Sequence, residues 1–161
     1  MSPAAATNDP PWLSPQMLGL TSLVLESHQR LYGQPLLRAQ GSRLAAQELF
    51  VLDRVVLCHD GSADPQFIYA NRAALQLFKR SWPQMVGLPS RLSARQQHHL
   101  DRRQALEKAR RQEALTGYGG ERVDSQGRRF QIRNARLWNL LDEERHYRGQ
   151  AACFGNWWWE P

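Results

Sequence analysis

The spacing of apolar residues changes along the chain, and each change marks a new element. Met17, Leu18, Val24, Leu25, Leu31 and Tyr32 return at seven-residue intervals, with Thr21 and His28 filling the same stripe. Such spacing is one sticky face of a helix. Ser14 stands where an N-cap belongs, Pro15 takes the first helical position, and Gly33 and Pro35 end the run. The pattern predicts a helix over 15–32 and a second, short one over 42–49. From Phe50 to His59 the residues become β-branched or large and apolar, which predicts a strand. Asp60-Gly61-Ser62-Ala63-Asp64-Pro65 is dense in turn formers, and 66–70 completes a hairpin. Asn71 is placed to cap a helix that runs to Phe78. Ser81 and Gln84 form a capping box for the next helix, which Gly87 and Pro89 break.

A second capping box, Ser93 with Gln96, predicts the longest helix, over 93–115. Strands over 118–123, 128–141 and 145–155 follow, separated by Asp124-Ser125-Gln126-Gly127 and by a turn near Glu143-Glu144-Arg145. Helices, a hairpin, more helices and a three-strand meander predict an α+β fold, not a doubly wound parallel sheet. The expected architecture is a five-stranded antiparallel sheet with helices on one face and an N-terminal helical extension. The predicted division is a disordered tail over 1–13, the helical extension over 14–49, the main domain over 50–156 and an aromatic tail over 157–161. Trp157, Trp158 and Trp159 are costly in water, so this last segment is expected to pack on the domain or on a partner. One strand resists a simple reading. Phe130, Ile132, Asn134, Arg136, Trp138 and Leu140 alternate with Gln131, Arg133, Ala135, Leu137, Asn139 and Leu141, and neither set is cleanly apolar. A bulge, a polar pocket contact or a partner on the outer face accounts for the mixture, and the partner is the preferred expectation.

Composition narrows the function. A chain of 161 residues that is 42% apolar fits one globular domain that folds without staples. Cys58 and Cys153 lie far apart inside apolar runs, which suits buried structural thiols and a reducing, cytoplasmic compartment. No secretory signal and no run of about 18 apolar residues is legible, so no membrane association is expected. The net charge of +6 permits a loose attraction to anionic partners. A nucleic-acid-associated regulator built on the basic helix 93–115 is an alternative. Asp101, Glu107 and Glu113 interleave its cations, however, as on a solvated face, so nucleic acid is not the expected partner. No nucleophile elbow, phosphate loop or metal-spaced histidine cluster is visible. His59, Asp53, Asp60 and Asp64 are neighbours in sequence only and read as turn and edge residues. The expectation is a protein that is not an enzyme, with no metal and no required cofactor.

Phe67-Ile68-Tyr69-Ala70-Asn71-Arg72-Ala73-Ala74, then Leu77-Phe78, Trp82 and Val86-Gly87, resembles the core of a PAS domain. Further segments are similar to the MEKHLA domain, a PAS relative that also occurs as a short stand-alone protein. These are Asn71 to Leu75, Leu88-Pro89-Ser90-Arg91-Leu92-Ser93-Ala94, Gly127-Arg128-Arg129-Phe130, Leu137 to Asp142, and Gly149-Gln150-Ala151-Ala152. The resemblance covers roughly 20–155. It implies a PAS-like fold and a sensing or partner-binding habit, and no reaction. It also implies that any small ligand sits between the sheet and the helices of 72–106. The pocket candidates are Tyr69, Asn71, Leu75, Phe78, His99, Leu106, Asn134 and Trp138. Some PAS sensors hold haem through a histidine on the long helix, and His99 shares the face of Leu106; a boundary role for His99 is the preferred reading. Light-sensing relatives carry a cysteine in the run that here reads Gly87-Leu88-Pro89-Ser90-Arg91, and Ser90 cannot form their thiol adduct. PAS relatives often pack a helix that precedes the sheet between protomers. Met17, Leu18, Val24, Leu25, Leu31 and Tyr32 are therefore candidates for a homodimer interface, with packing on the chain's own sheet as the alternative. A regulatory protein partner is also expected.

Overall fold

The structure, a computed structural model, describes residues 8–161. Two helices come first, α1 (Pro15–Tyr32) and α2 (Ser42–Val51), followed by a hairpin of β1 (Val55–Asp60) and β2 (Phe67–Ala70). Three helices, α3 (Arg72–Phe78), α4 (Trp82–Met85) and α5 (His99–Gln112), lead into β3 (Ala114–Val123), β4 (Arg129–Leu141), β5 (Tyr147–Phe154) and β6 (Asn156–Trp159). The strands form one antiparallel sheet in the order β2-β1-β5-β4-β3, with β6 also on β4.

The sixth strand revises the expected tail over 157–161. Trp157, Trp158 and Trp159 pair with Ile132, Gln131 and Phe130, so β6 continues the edge that β5 occupies further along β4. Strand alternation turns Trp157 and Trp159 inward, edge-on to Phe130 at 6.0 and 5.7 Å. Trp158 faces out, with the Arg133 guanidinium over its ring. The other end is also anchored earlier than expected. Trp12 stacks on Phe50 at 3.6 Å and donates to Gln47 Oε1 at 3.1 Å, and Leu13 is buried. The predicted disorder over 1–13 therefore fails at 11–13, while 1–7 lie outside the described residues.

Both faces of the sheet are covered, which explains the unbroken apolar run at its centre. Val55 and Leu57 join Phe67, Phe78, Met85 and Phe154 in an inner core with α3 and α4. Val56 and Cys58 point the other way, into a second core with Met17 and Val24 of α1 and Leu49 of α2. The mixed pattern of β4 is a bulge. Asn134 takes a left-handed backbone (φ 54°), and the pairing with β3 shifts around it. Phe130 and Ile132 before it and Ala135 after it therefore all meet the inner core, while Trp138 and Leu140 fall into the second. This corrects the preferred reading of that strand, because α1 and α2 of the same chain cover the outer face.

The stripe of α1 is accordingly seated on its own sheet. Ser14 Oγ accepts from the Met17 N–H at 3.2 Å, and Gly33, at φ 72°, ends the helix. Val24 and Met17, both dimer candidates, are buried; Leu18, Leu25, Leu31 and Tyr32 keep partial exposure. Trp138 Nε1 donates to the Val24 carbonyl at 3.2 Å, and Ser27 bonds both backbone groups of Leu141. The Tyr32 hydroxyl lies 2.7 Å from the Leu115 carbonyl oxygen and 2.9 Å from that of Leu137, and its single proton is shared between them. Two boundaries also differ from expectation. Phe50 and Val51 complete α2, so β1 begins at Val55. The long helix begins at His99, because Ser93 Oγ donates back to the Ser90 carbonyl at 2.7 Å and Ala94 is extended (φ −133°).

One side chain ties these pieces together. Asn71 is fully buried, and its Oδ1 accepts from the N–H groups of Ala74 (3.1 Å) and Val56 (3.0 Å). Its Nδ2 donates to the carbonyls of Leu49 (3.2 Å) and Arg54 (2.7 Å). It is thus the expected cap of α3 and also the clasp between α2, β1 and α3. A cap alone is worth about 1 kcal/mol. Asn71→Ala additionally removes a bond to the Val56 N–H, to the half-buried Arg54 carbonyl and to the Leu49 carbonyl, which keeps the Leu52 N–H, so we expect a loss of about 3 kcal/mol. A loss near 1 kcal/mol in urea denaturation would reduce Asn71 to a simple cap.

His28 gives the fold a pH dependence. Its Nδ1–H donates to the Gln34 carbonyl at 3.0 Å, and its Nε2 accepts from Arg136 at 3.1 Å, which fixes the neutral tautomer. Burial above all, with the charges of Arg136 and Arg54, holds its pKa below the ordinary histidine value; the Gln34 bond opposes this. The unfolded chain then binds a proton near pH 6.5 that the folded chain refuses. Stability is therefore complete above about pH 6.5 and declines as the pH falls toward the lowered folded value. The urea midpoint should be lower at about pH 5.5 than at about pH 7.5, and His28→Gln should narrow the difference.

Candidate functional site

A cavity of about 50 Å³ lies between the inner face of the sheet and helices α3 and α5. Leu57, Phe67, Ile132 and Phe154 of the sheet wall it, with Phe78 of α3 and Leu106 of α5. Its polar lining is His59, Ser93, Arg102, Tyr118, Arg122 and Gln150. Outside it runs a groove of about 850 Å³ between α5 and the β1–β2 loop, reaching Ser90 and Arg91. His59, Arg102, Leu106 and Gln150 line both spaces and form the partition between them.

Local chemistry sets this partition in place. Asp60 Oδ1 accepts from Ser62 Oγ at 2.6 Å and from the N–H groups of Ser62 and Gln66, which fixes the hairpin loop. Gly149 (φ 142°) faces His59 and Asp60 across the ladder, where a Cβ would lie 2.1 Å from the His59 carbonyl oxygen. That close approach brings Gln150 beside His59. Gln150 Nε2 donates to the Leu106 carbonyl (3.3 Å), and Asn139 Nδ2 to the Arg110 carbonyl (2.8 Å), so the sheet satisfies carbonyls on α5.

The site is cationic. Arg122 is buried, donating to the Glu121 carbonyl at 2.7 Å and to the Tyr118 hydroxyl. Arg102 is half-buried, and its buried Nε has no hydrogen-bond partner. Burial first, and then the charge of Arg122, bring the Arg102 pKa down to about 10. His59 donates from Nδ1 to the Asp60 carbonyl at 2.8 Å; burial, with Arg102 acting in the same direction, holds its pKa below the ordinary value. The adjacent carboxylate of Glu121 is taken. Arg95 Nη2 donates to it at 3.0 Å and His98 Nε2 lies 3.3 Å away. Burial is the largest single influence and opposes its ionisation, but the bonds to Arg95 and Glu160 and the charges of Arg95 and His98 together keep its pKa low.

The sequence-predicted pocket residues divide sharply. Phe78 and Leu106 line the cavity. His99 lines the outer groove and not the cavity, and its Nε2 donates to the Ala94 carbonyl at 2.8 Å. A haem macrocycle also exceeds the cavity. Leu75 packs half-buried on the inner core without lining the space, and Asn71 is the clasp described above. Tyr69 and Trp138 belong to the opposite core, on the far side of the sheet, and Asn134 is exposed at the bulge. Arg102, Arg122, His59 and Gln150 were not anticipated. The available signal was on α5, where Arg102 shares a face with His99, Leu106 and Ala109 at helical spacing. Among the described residues no group of His, Cys, Asp and Glu is arranged to hold a metal ion, and no helix is long and apolar enough to cross a membrane.

The profile of the MEKHLA domain matches residues 18–159. The chain belongs to the MEKHLA domain family. No curated protein matches it. Solved structures similar to this MEKHLA domain are PAS and light-oxygen-voltage domains. A PAS domain from Colwellia psychrerythraea is 14% identical, with a TM-score of 0.62 over 71% of this chain and 94% of its own. A PAS domain from a two-component sensor histidine kinase is 18% identical, with a TM-score of 0.56 over 73% and 95%. The light-oxygen-voltage domain of a blue-light activated histidine kinase from Erythrobacter litoralis is 21% identical, with a TM-score of 0.52 over 62% and 91%. At these identities the likeness establishes the PAS fold of the MEKHLA domain and leaves its ligand to be argued from its own cavity.

Proposed function

We propose that this MEKHLA domain is a non-enzymatic sensor. It binds a small molecule in the cavity between the sheet and α3 and α5, and a regulatory protein partner reads its occupancy. The observation that carries this reading is a space between the sheet and the helices with polar groups in its lining, separated from a surface groove by only four side chains. The family and the fold support a sensory role. Catalysis lacks a constellation. The His59 ring meets the carbonyl of Asp60, not its carboxylate, which is committed to the loop. The Cys58 thiol is pushed well up by burial and belongs to the second core. Two buried free thiols also suit a cytoplasmic location.

Xenon, a small apolar probe, should bind the purified protein as read by ¹²⁹Xe NMR. Ala135→Leu, which fills the cavity wall, should abolish that signal and keep the fold. Absence of xenon binding in the wild type would remove the pocket. Ester, phosphate and nucleotide substrates should show no turnover; a robust activity lost in His59→Ala would refute the non-enzymatic reading.

A homodimer is the second reading, favoured by the partial exposure of Leu18, Leu25 and Leu31 on α1. We infer that it uses this flank, because Met17 and Val24 are committed to the sheet. Light scattering at tens of micromolar should give a dimer that Leu18→Glu with Leu25→Glu weakens, and a monomeric wild type would refute self-association.

A further inference from the structure

Two arginines converge on the inner cavity without an anion to meet them. Arg102 enters from α5 and Arg122 from β3. Among the described residues neither makes an ion pair, and no Asp or Glu lines the cavity. The nearby carboxylates are engaged elsewhere: Glu121 with Arg95 and His98, Asp64 with Arg91, and Asp60 with its own loop. Burying a guanidinium beside a second one is unfavourable unless something compensates. Structural arginines in folded cores normally bring their own partner. Here Arg122 has two neutral acceptors, and the Nε of Arg102 has none.

We propose that the cavity is a carboxylate site, filled by a small organic acid whose oxygens bridge Arg102 and Arg122 and whose carbon body rests on Phe78, Ile132 and Leu57. The planar guanidinium fork matches a carboxylate, with which it forms charge-assisted pairs. The site is also too apolar for an inorganic oxyanion. Away from the arginines its walls are largely Phe, Leu, Ile and Ala, where the remaining oxygens of phosphate would go unpaired. Size limits the acid further. An ordered water needs about 10–15 Å³ of such space, so the cavity holds roughly three to five non-hydrogen atoms, an acid of two or three carbons. Arg102 stands in the partition as well as in the cavity, so it can meet the acid in the groove and follow it inward. The groove itself carries both signs of charge, from Asp64 and Glu107 to Arg91 and Arg103, and has no such bias.

This proposal rests on the cavity being a ligand pocket, and its test separates the two claims. Acetate and propionate are titrated into the wild-type protein at constant ionic strength, beside acetamide, propionamide and inorganic phosphate. Melting temperature and calorimetric heat are the readouts. The acids should raise the melting temperature, and the amides and phosphate should not. Arg102→Met should weaken propionate binding about tenfold or more, the loss expected for one charge-assisted hydrogen bond. Without ligand, Arg102→Met should melt no lower than the wild type, because it removes an unpaired charge; a lower melting point would make Arg102 structural and overturn the proposal. A variant that fails to fold counts as the same loss and overturns the proposal in the same way. Equal stabilisation by amides overturns the anion, and equal stabilisation by phosphate overturns the carbon body. No response to the acids overturns the carboxylate site: with xenon still bound, the pocket itself stands, and without xenon both readings fall.

Discussion

The buried amide of Asn71 is the constraint on which the rest of the architecture hangs. Its four side-chain hydrogen bonds join the end of α2, the start of β1 and the first turn of α3. Each connects a segment whose backbone groups would otherwise be left unpaired in a dry interior. A hydroxyl cap could satisfy the helix start, but only an amide offers two acceptor and two donor positions at once. Fixing where α3 starts also fixes where Phe78 arrives, and Phe78 forms part of the cavity wall.

The second constraint is the parity of β4. Its left-handed residue, Asn134, resets the alternation halfway along the strand. Without it, Phe130 and Ile132 would share a face with Trp138 and Leu140, and Ala135 and Leu137 would point away from the cavity that they now line. The bulge allows one long strand to serve two cores. Because α1 and α2 close the outer core, the inner side of the sheet can keep an unfilled space.

Electrostatics gives the site its character. The outer face carries its own half-buried cation, Arg136, which His28 Nε2 accepts from and which packs against the Tyr32 ring. The inner face offers Arg102 no comparable accommodation. Elsewhere on α5 and in the loop before it, Arg103, Lys108 and Arg111 are exposed to solvent, Arg110 packs on the Tyr147 ring and Arg95 pairs with Glu121. The exception is thus specific to one position on one helix face, which the overall charge of the chain could not indicate.

The amino-acid sequence by itself determined the features that depend on near neighbours. Ser14 with Pro15, Asn71, and Ser81 with Gln84 start helices through bonds spanning about three residues, and they lie where the structure has them. The family motifs around Tyr69–Ala74 and Leu88–Ala94 carried the fold. Tertiary structure decided which surface each element faces. Ser27 meets Leu141, Trp138 meets Val24, and the three terminal tryptophans meet β4, all across long stretches of chain. Periodicity can say that α1 has one sticky face but not whose surface covers it. It can place Arg102 on the face of Leu106, but whether that guanidinium finds water, a carboxylate or an empty cavity depends on strands contributed by β1, β3, β4 and β5. Local signals are short-range because caps and turns close within a few residues, whereas burial and charge pairing are properties of surfaces that exist only once distant segments have packed together.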